Sequence, residues 1–262
     1  MRKVIILLGC LLIGGVLSAQ DLSQDFKNWY LVSTNLRFTK TTSLSIGHLS
    51  SFDLDGYRYG FRQNRVSLQH KLNSQWTANL GYAYSVIKGR TRNIPYHRVE
   101  AQISHRVKWD HWRMTNSLRL EKYGPQLPKY GARAILSNKW SYYNRNWPLR
   151  FSPYIRNQVF YYQGGEEIAY LVDPEELEDG EEGVIWGAPN GWHRYRFSVG
   201  GRMRLRRDLY LTVFYTWQKE FNTGLRPYNQ LNVPQESGTK NQLPFNNYSL
   251  LGVSLAYTFK FY

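Results

Sequence analysis

The chain has 262 residues, a formal net charge of +15, 16% aromatic residues and a single cysteine. Mean hydropathy is low at −0.55, and past residue 20 no run approaches the roughly 18 apolar residues of a membrane helix. These values argue against a helical membrane protein and a disulfide framework. The basic residues alternate with apolar ones rather than forming a patch, which argues against nucleic acid as a partner.

Residues 1–20 read as an export signal. Arg2 and Lys3 give the positive start, Val4 to Leu17 the apolar core, and Ser18-Ala19-Gln20 the small residues of a cleavage site. Cys10 sits in Leu-Leu-Gly-Cys, a loose likeness to a lipoprotein box, but the apolar run continues beyond it. Cleavage near residue 20 leaves a single domain, 21–262, without cysteine and so without a disulfide or a thiol nucleophile.

Alternation and turn chemistry mark strands near 27–38, 43–53, 57–72, 76–87, 96–109, 112–123, 130–143, 150–163, 192–206, 209–221 and 247–261. Most exceed the usual five or six residues of soluble sheets and reach the 9–11 or so that a tilted membrane strand needs. The connections alternate in length. Thr39-Thr42, Asn73-Gln75, Asp110-His111, Asn144-Leu149 and Arg207-Asp208 are short; Asp53-Gly56, Lys88-Pro95, Gly124-Lys129, 164–191 and 222–246 are longer. Short turns on one side and long loops on the other are the rhythm of an outer-membrane barrel. The expected fold is all-β: a closed antiparallel up-and-down transmembrane barrel. Eleven segments are visible, but bacterial barrels have even strand numbers, so twelve strands are favoured, with ten as the alternative. The phase is broken within 43–65, where a bulge or a misplaced turn is expected.

The hairpin from Trp192 to Phe221 shows the alternation best. His193, Tyr195, Phe197, Val199, Met203 and Leu205 share one face; Arg194, Arg196, Arg202, Arg204 and Arg206 share the other. Leu209, Leu211, Val213, Tyr215 and Trp217 continue the apolar face after Arg207-Asp208. In 76–87 the outward set is Trp76, Ala78, Leu80, Tyr82, Tyr84 and Val86. In 112–123, Trp112, Met114, Leu118 and Leu120 oppose the polar set. The final strand puts Leu251, Val253, Leu255, Tyr257, Phe259 and Phe261 on one face and ends on aromatics, as closing strands of outer-membrane barrels commonly do.

Several short motifs resemble a family of uncharacterised outer-membrane barrels from the Bacteroidota, classed as a domain of unknown function. They are Trp29-Tyr30, Gly81-Tyr82-Ala83-Tyr84, Tyr96-His97-Arg98-Val99-Glu100, Arg119-Leu120-Glu121, Asn157-Gln158-Val159-Phe160, and Arg196 to Gly200 leading to the closing hairpin. The family often has an acid after the Asn, where this chain has Gln158. The resemblance implies an outer-membrane barrel and no particular reaction.

By phase, the lumen receives Arg98, Arg106, Arg113, Arg119, Arg133, Arg156, Arg194, Arg196, Arg202 and Arg204, with Glu100, Glu121 and Glu220 as inward acids. Buried arginines need partners. One reading is a salt-bridged ladder that rigidifies a narrow barrel; the other is a cationic pore for small anionic solutes. Segment 164–191 holds Glu166, Glu167, Asp173, Glu175, Glu176, Glu178, Asp179, Glu181 and Glu182 with no Lys or Arg. It reads as a solvated acidic loop, with folding back over the basic mouth as the alternative. No cofactor or metal pattern is present, and there is no G-x-S-x-G, H-E-x-x-H or P-loop. Ser104 and His105 point to opposite faces of one strand, which counts against a Ser/His pair. The expected role is a small basic-lumen pore or a structural protein of the bacterial outer membrane, in contact with lipid and lipopolysaccharide. The alternative is a barrel enzyme that modifies lipid or lipopolysaccharide. The sequence does not specify a protein partner.

Overall fold

The computed structural model describes residues 25–53, 58–88, 92–144, 146–171, 184–223, 229–234 and 241–262. The export signal with Cys10, and the acidic residues from Asp173 to Glu182, lie outside the described residues.

Eleven long strands form a closed barrel: β1 (Asp25–Arg37), β2 (Thr42–Asp53), β3 (Arg58–Lys71), β4 (Trp76–Lys88), β5 (Asn93–Trp109), β6 (Trp112–Leu127), β7 (Tyr130–Tyr142), β8 (Ser152–Gln163), β11 (Gly191–Arg204), β12 (Leu209–Glu220) and β15 (Tyr248–Lys260). Two short hairpins, β9 (Ile168–Leu171) with β10 (Val184–Gly187) and β13 (Val233–Pro234) with β14 (Asn241–Gln242), lie in the two long loops. They are too short to show a period in the sequence. Consecutive barrel strands pair antiparallel, but β1 and β15 close the barrel in parallel, in register from Asp25↔Tyr248 to Arg37↔Lys260.

The described barrel thus has eleven strands, one fewer than the favoured twelve. An odd up-and-down barrel must contain one parallel pair, and here it is the closure. The expected bulge is found where β2 meets β3, between Ser51 and Phe52. A correction concerns 124–129, expected as a loop. Strand β6 instead runs on to Leu127, and its register with β7 jumps from Lys122↔Ala132 to Leu127↔Tyr130. The extra β6 residues bulge at the barrel rim rather than forming a separate connection.

The outer face is apolar and exposed. Leu80 is 63% and Val99 61% exposed, with Val32, Ile46, Leu120 and Ile155 in the same band. A contiguous exposed apolar belt of this kind needs a covering phase. Aromatic clusters border it at both ends. Toward the short turns, Trp109 packs on Trp140 at 5.4 Å, Trp112 on Tyr142 at 5.2 Å and Phe38 on Phe261 at 5.8 Å. Toward the long loops, Tyr30 meets Phe52 at 5.9 Å and Tyr161 meets Trp192 at 5.4 Å. These are the two girdles of a membrane barrel. One polar row crosses the band: His105, Asn116, Asn138 and Asn157 are direct neighbours on β5 to β8. Two of its carbonyl oxygens accept locally, Asn116 Oδ1 from Asn138 Nδ2 (2.6 Å) and Asn157 Oδ1 from Tyr195 OH (2.5 Å).

The loop end of the barrel holds a small core. Tyr96, Tyr123, Tyr130, Ile135, Phe160 and Tyr162 point inward and meet Leu231 from the long β12–β15 connection, with Leu243 and Phe245 beside them. The same connection is tied to the other long loop: Tyr170 OH donates to Gln230 O (3.0 Å), and Gln242 Nε2 to Ala169 O (3.2 Å). Burial pushes the Tyr170 phenol up to about 12. The loops therefore fold inward over part of the mouth. At the opposite end, Lys260 Nζ donates to Asp208 Oδ1 (2.8 Å). This bond holds the half-buried Asp208 carboxyl below the usual carboxylate range.

Candidate functional site

The site is the lumen, and its residues arrive there by strand alternation. Every second side chain of a closed barrel faces inward, and the cross-strand register stacks the charged ones. Glu100 lies directly opposite Glu121, and Glu121 opposite Arg133. Two facing carboxylates repel each other unless cations stand between them. Here Arg98 reaches both, 3.2 Å from Glu100 Oε2 and 3.7 Å from Glu121 Oε1. Arg119 also bridges, with NH1 3.4 Å from Glu121 Oε1 and 4.0 Å from Glu100 Oε2. Arg65 Nε donates to Glu100 Oε1 at 2.9 Å. Arg133 donates to Glu121 Oε2, which also accepts from Tyr123 OH at 2.6 Å. Neutral groups take up further guanidinium donors: Arg119 Nε to Gln102 Oε1 (3.0 Å) and Arg98 NH2 to Gln63 Oε1 (3.3 Å).

Gly81 stands opposite Glu100, and a Cβ there would lie 2.8 Å from the Glu100 side chain. The missing side chain lets the carboxylate lie flat on the wall beneath its arginines.

A second cluster gathers on Glu220. Arg194, opposite in register, donates Nε to Oε1 at 3.1 Å; Tyr162 OH donates to the same oxygen at 2.9 Å. Lys129 Nζ and the backbone N–H of Asn246 donate to Oε2. Burial pushes the Lys129 ammonium down, opposed by the attraction of Glu220. Arg196 instead uses Gln218 Oε1 and Tyr248 OH.

Six cations thus share three carboxylates, an excess of three positive charges. The exposures are unequal. Glu100, Glu121 and Glu220 have side chains 0% exposed, whereas Arg65 keeps 34% and Arg119 26%. The acids lie under the arginines, so the surface turned to the bore is basic.

The opposite wall, from β1 to β3, carries Ser33, Ser45, Gly47, Ser51, Gly60 and Ser67. These small side chains border a luminal cavity of about 660 Å³. Nine basic residues line it (Lys27, Arg65, Lys88, Arg98, Arg119, Arg133, Arg156, Arg194 and Arg196) and one acid, Asp53, which Lys27 neutralises at 3.3 Å.

The remaining sequence-derived residues divide by position. Arg106, Arg113, Arg156 and Arg202 face inward toward the turn end, and no described acid forms an ion pair with them. Arg204 binds the turn carbonyls Arg206 O and Arg207 O instead. Glu166 and Glu167 are exposed on the long loop. His193, expected on the apolar outer face, is buried: a register shift between Trp192 and Arg194 turns it to donate from Nδ1 to Phe221 O (3.1 Å) and pack on Tyr162. His97 faces outward, bonded to Tyr82 OH at 2.6 Å, while Ser104 turns inward to Gln102. The structure therefore does not bring Ser104 together with either histidine of its strand.

Sequence reasoning missed Lys27, Asp53 and Lys88 on the cavity wall, and Arg65, Lys129 and Lys139. Arg65 lies just past the bulge, where the phase was unreadable. Lys129 sits in a two-residue turn with no period. Lys139 shares the phase of Arg133 on β7, and that signal was available.

No curated protein matches the chain. Among solved structures, the NanC porin is similar at 12% identity over 88% of this chain and 98% of its own, with a TM-score of 0.45. Pseudomonas aeruginosa OccK11 (OpdR) is similar at 16% identity over 71% and 52%, with a TM-score of 0.31. P. aeruginosa OccK5 (OpdH) is similar at 15% identity over 72% and 53%, also with a TM-score of 0.31. Residues 26–229 match the family described as "Protein of unknown function (DUF2490)", and the chain belongs to that family.

Proposed function

We propose that this protein is a narrow outer-membrane pore with a passage that favours small anionic solutes. In this reading the long loops face outside, the short turns face the periplasm, and lipid and lipopolysaccharide cover the apolar band. The supporting observation is the layering of charge: the three luminal carboxylates are fully covered while Arg65 and Arg119 keep exposed edges on the cavity. Charged rings in a low-dielectric bore set the sign of the permeating ion. Ordered ion pairs alone would explain a rigid plug, but the serine- and glycine-lined wall opposite leaves room beside them.

Swelling of proteoliposomes containing the purified barrel tests this reading. Small carboxylated sugars should enter faster than neutral sugars of equal size. Equal entry, or faster entry of the neutral sugars, would refute the anion preference; no entry of either would refute the pore.

A further inference from the structure

Below the ion-paired clusters, toward the turn end, the lumen holds a group of cations without carboxylates. Lys139 and Arg156 are direct cross-strand neighbours on the inward face of β7 and β8. Like charges in that position repel. Arg113 and Arg202 also act electrostatically on Lys139. None of the four forms an ion pair with a described residue. Instead, each rests on a tyrosine. Lys139 Nζ lies 3.8 Å from the Tyr154 ring centre and the Arg156 guanidinium 5.7 Å from the same ring. Arg113 lies 4.1 Å over Tyr143, and Arg202 4.0 Å over Tyr210. These ring contacts hold the cations in place but do not cancel their charge. The Nε of Arg113 is buried without an acceptor, as is that of neighbouring Arg106.

We propose that Lys139, Arg156, Arg113 and Arg202 form a binding site for a phosphate-bearing solute. The chemistry selects a multiply charged oxyanion. A single carboxylate would leave most of the repulsion among four cations in place. A phosphate dianion or diphosphate offsets more of it and offers several oxygens to the planar guanidinium forks. Tyr143 OH already accepts from Arg113 NH1 at 3.0 Å, so its own proton is free to donate to a bound oxygen. Arg156 also lines the luminal cavity, which joins the site to the passage. The inference refines the anion-pore reading by naming the solute class, but binding is measured separately from transport.

The test is calorimetric titration of the detergent-solubilised full-length barrel with inorganic pyrophosphate, and with acetate as the singly charged comparison. Saturable pyrophosphate binding near one equivalent, much tighter than acetate, is the expected result. Lys139→Gln with Arg156→Gln should weaken it by about tenfold or more, the loss that follows from removing charge-assisted bonds. Lys122→Gln, on the exposed outer face, should not. Thermal unfolding adds a check on folding: without anion the double variant should melt above the wild type because a repulsion is gone, and pyrophosphate should raise the wild-type midpoint more than that of the variant. No saturable binding, or equal binding by the double variant, would overturn the site, even if liposome entry had already established an anion pore.

Discussion

Glu121 is surrounded by Arg98, Arg119, Arg133 and Tyr123 OH and has no solvent contact. Removing one member of a buried charge set costs far more than the set contributes, because the remaining charges lose their compensation. Glu121→Gln should therefore lower the unfolding free energy by about 3–5 kcal/mol, read from urea unfolding in lipid vesicles by tryptophan fluorescence. A loss below about 1 kcal/mol, the range of exposed pairs, would mean that water in the lumen screens the cluster. The outer amide row behaves differently. Asn138→Leu alone strands the Asn116 carbonyl oxygen at a cost of about 1–3 kcal/mol, whereas Asn116→Leu with Asn138→Leu removes donor and acceptor together and should recover most of that loss. Additive costs in the double-mutant cycle would contradict the amide bond. At this scale the sequence was informative where alternation was clean: Arg98, Glu100, Arg119, Glu121, Arg194 and Glu220 follow directly from their phase. It was silent on Arg65 because the Ser51–Phe52 bulge shifts the register that would have assigned it.

At the scale of elements, the closure of β1 on β15 carries the least expected feature. The alternation itself marks eleven segments; only the even-number rule argues for a twelfth. The parallel closure places Val32 beside Leu255, both outward. Their backbone separation across paired strands suits a disulfide. In a Cys10→Ser background, Val32→Cys with Leu255→Cys should cross-link without a reductant, while Val32→Cys with Leu251→Cys, four residues out of register, should not. Cross-linking of the second pair alone would contradict the observed closure. The inward fold of the β12–β15 connection is the other unforeseen element. Leu231, Leu243 and Phe245 pack onto the luminal tyrosines, but they come from an aperiodic segment whose burial depends entirely on tertiary contacts, so no pattern in the sequence announces it.

For the whole molecule, a formal charge of +15 is distributed with opposite consequences at the two ends of the lumen. Toward the loops, three acids are consumed inside a larger set of cations; toward the turns, the inward cations Arg106, Arg113, Lys139, Arg156 and Arg202 gather with no ion pair among the described residues. The barrel wall was legible because a lipid-type face and a polar face alternate along nearly every strand. The position of the cavity was not, because it depends on small residues of β1 to β3 standing across the bore from long ones on β5 to β11.

The most direct test is the zero-current potential of the purified barrel in a planar bilayer under a potassium chloride gradient, for the wild type and for Arg65→Glu with Arg119→Glu. The wild type should show the sign of chloride selectivity, and the double substitution should reduce or invert it. A cation-selective wild type, or a potential indifferent to those two substitutions in a barrel confirmed as folded, would contradict a bore whose basic edges govern what passes.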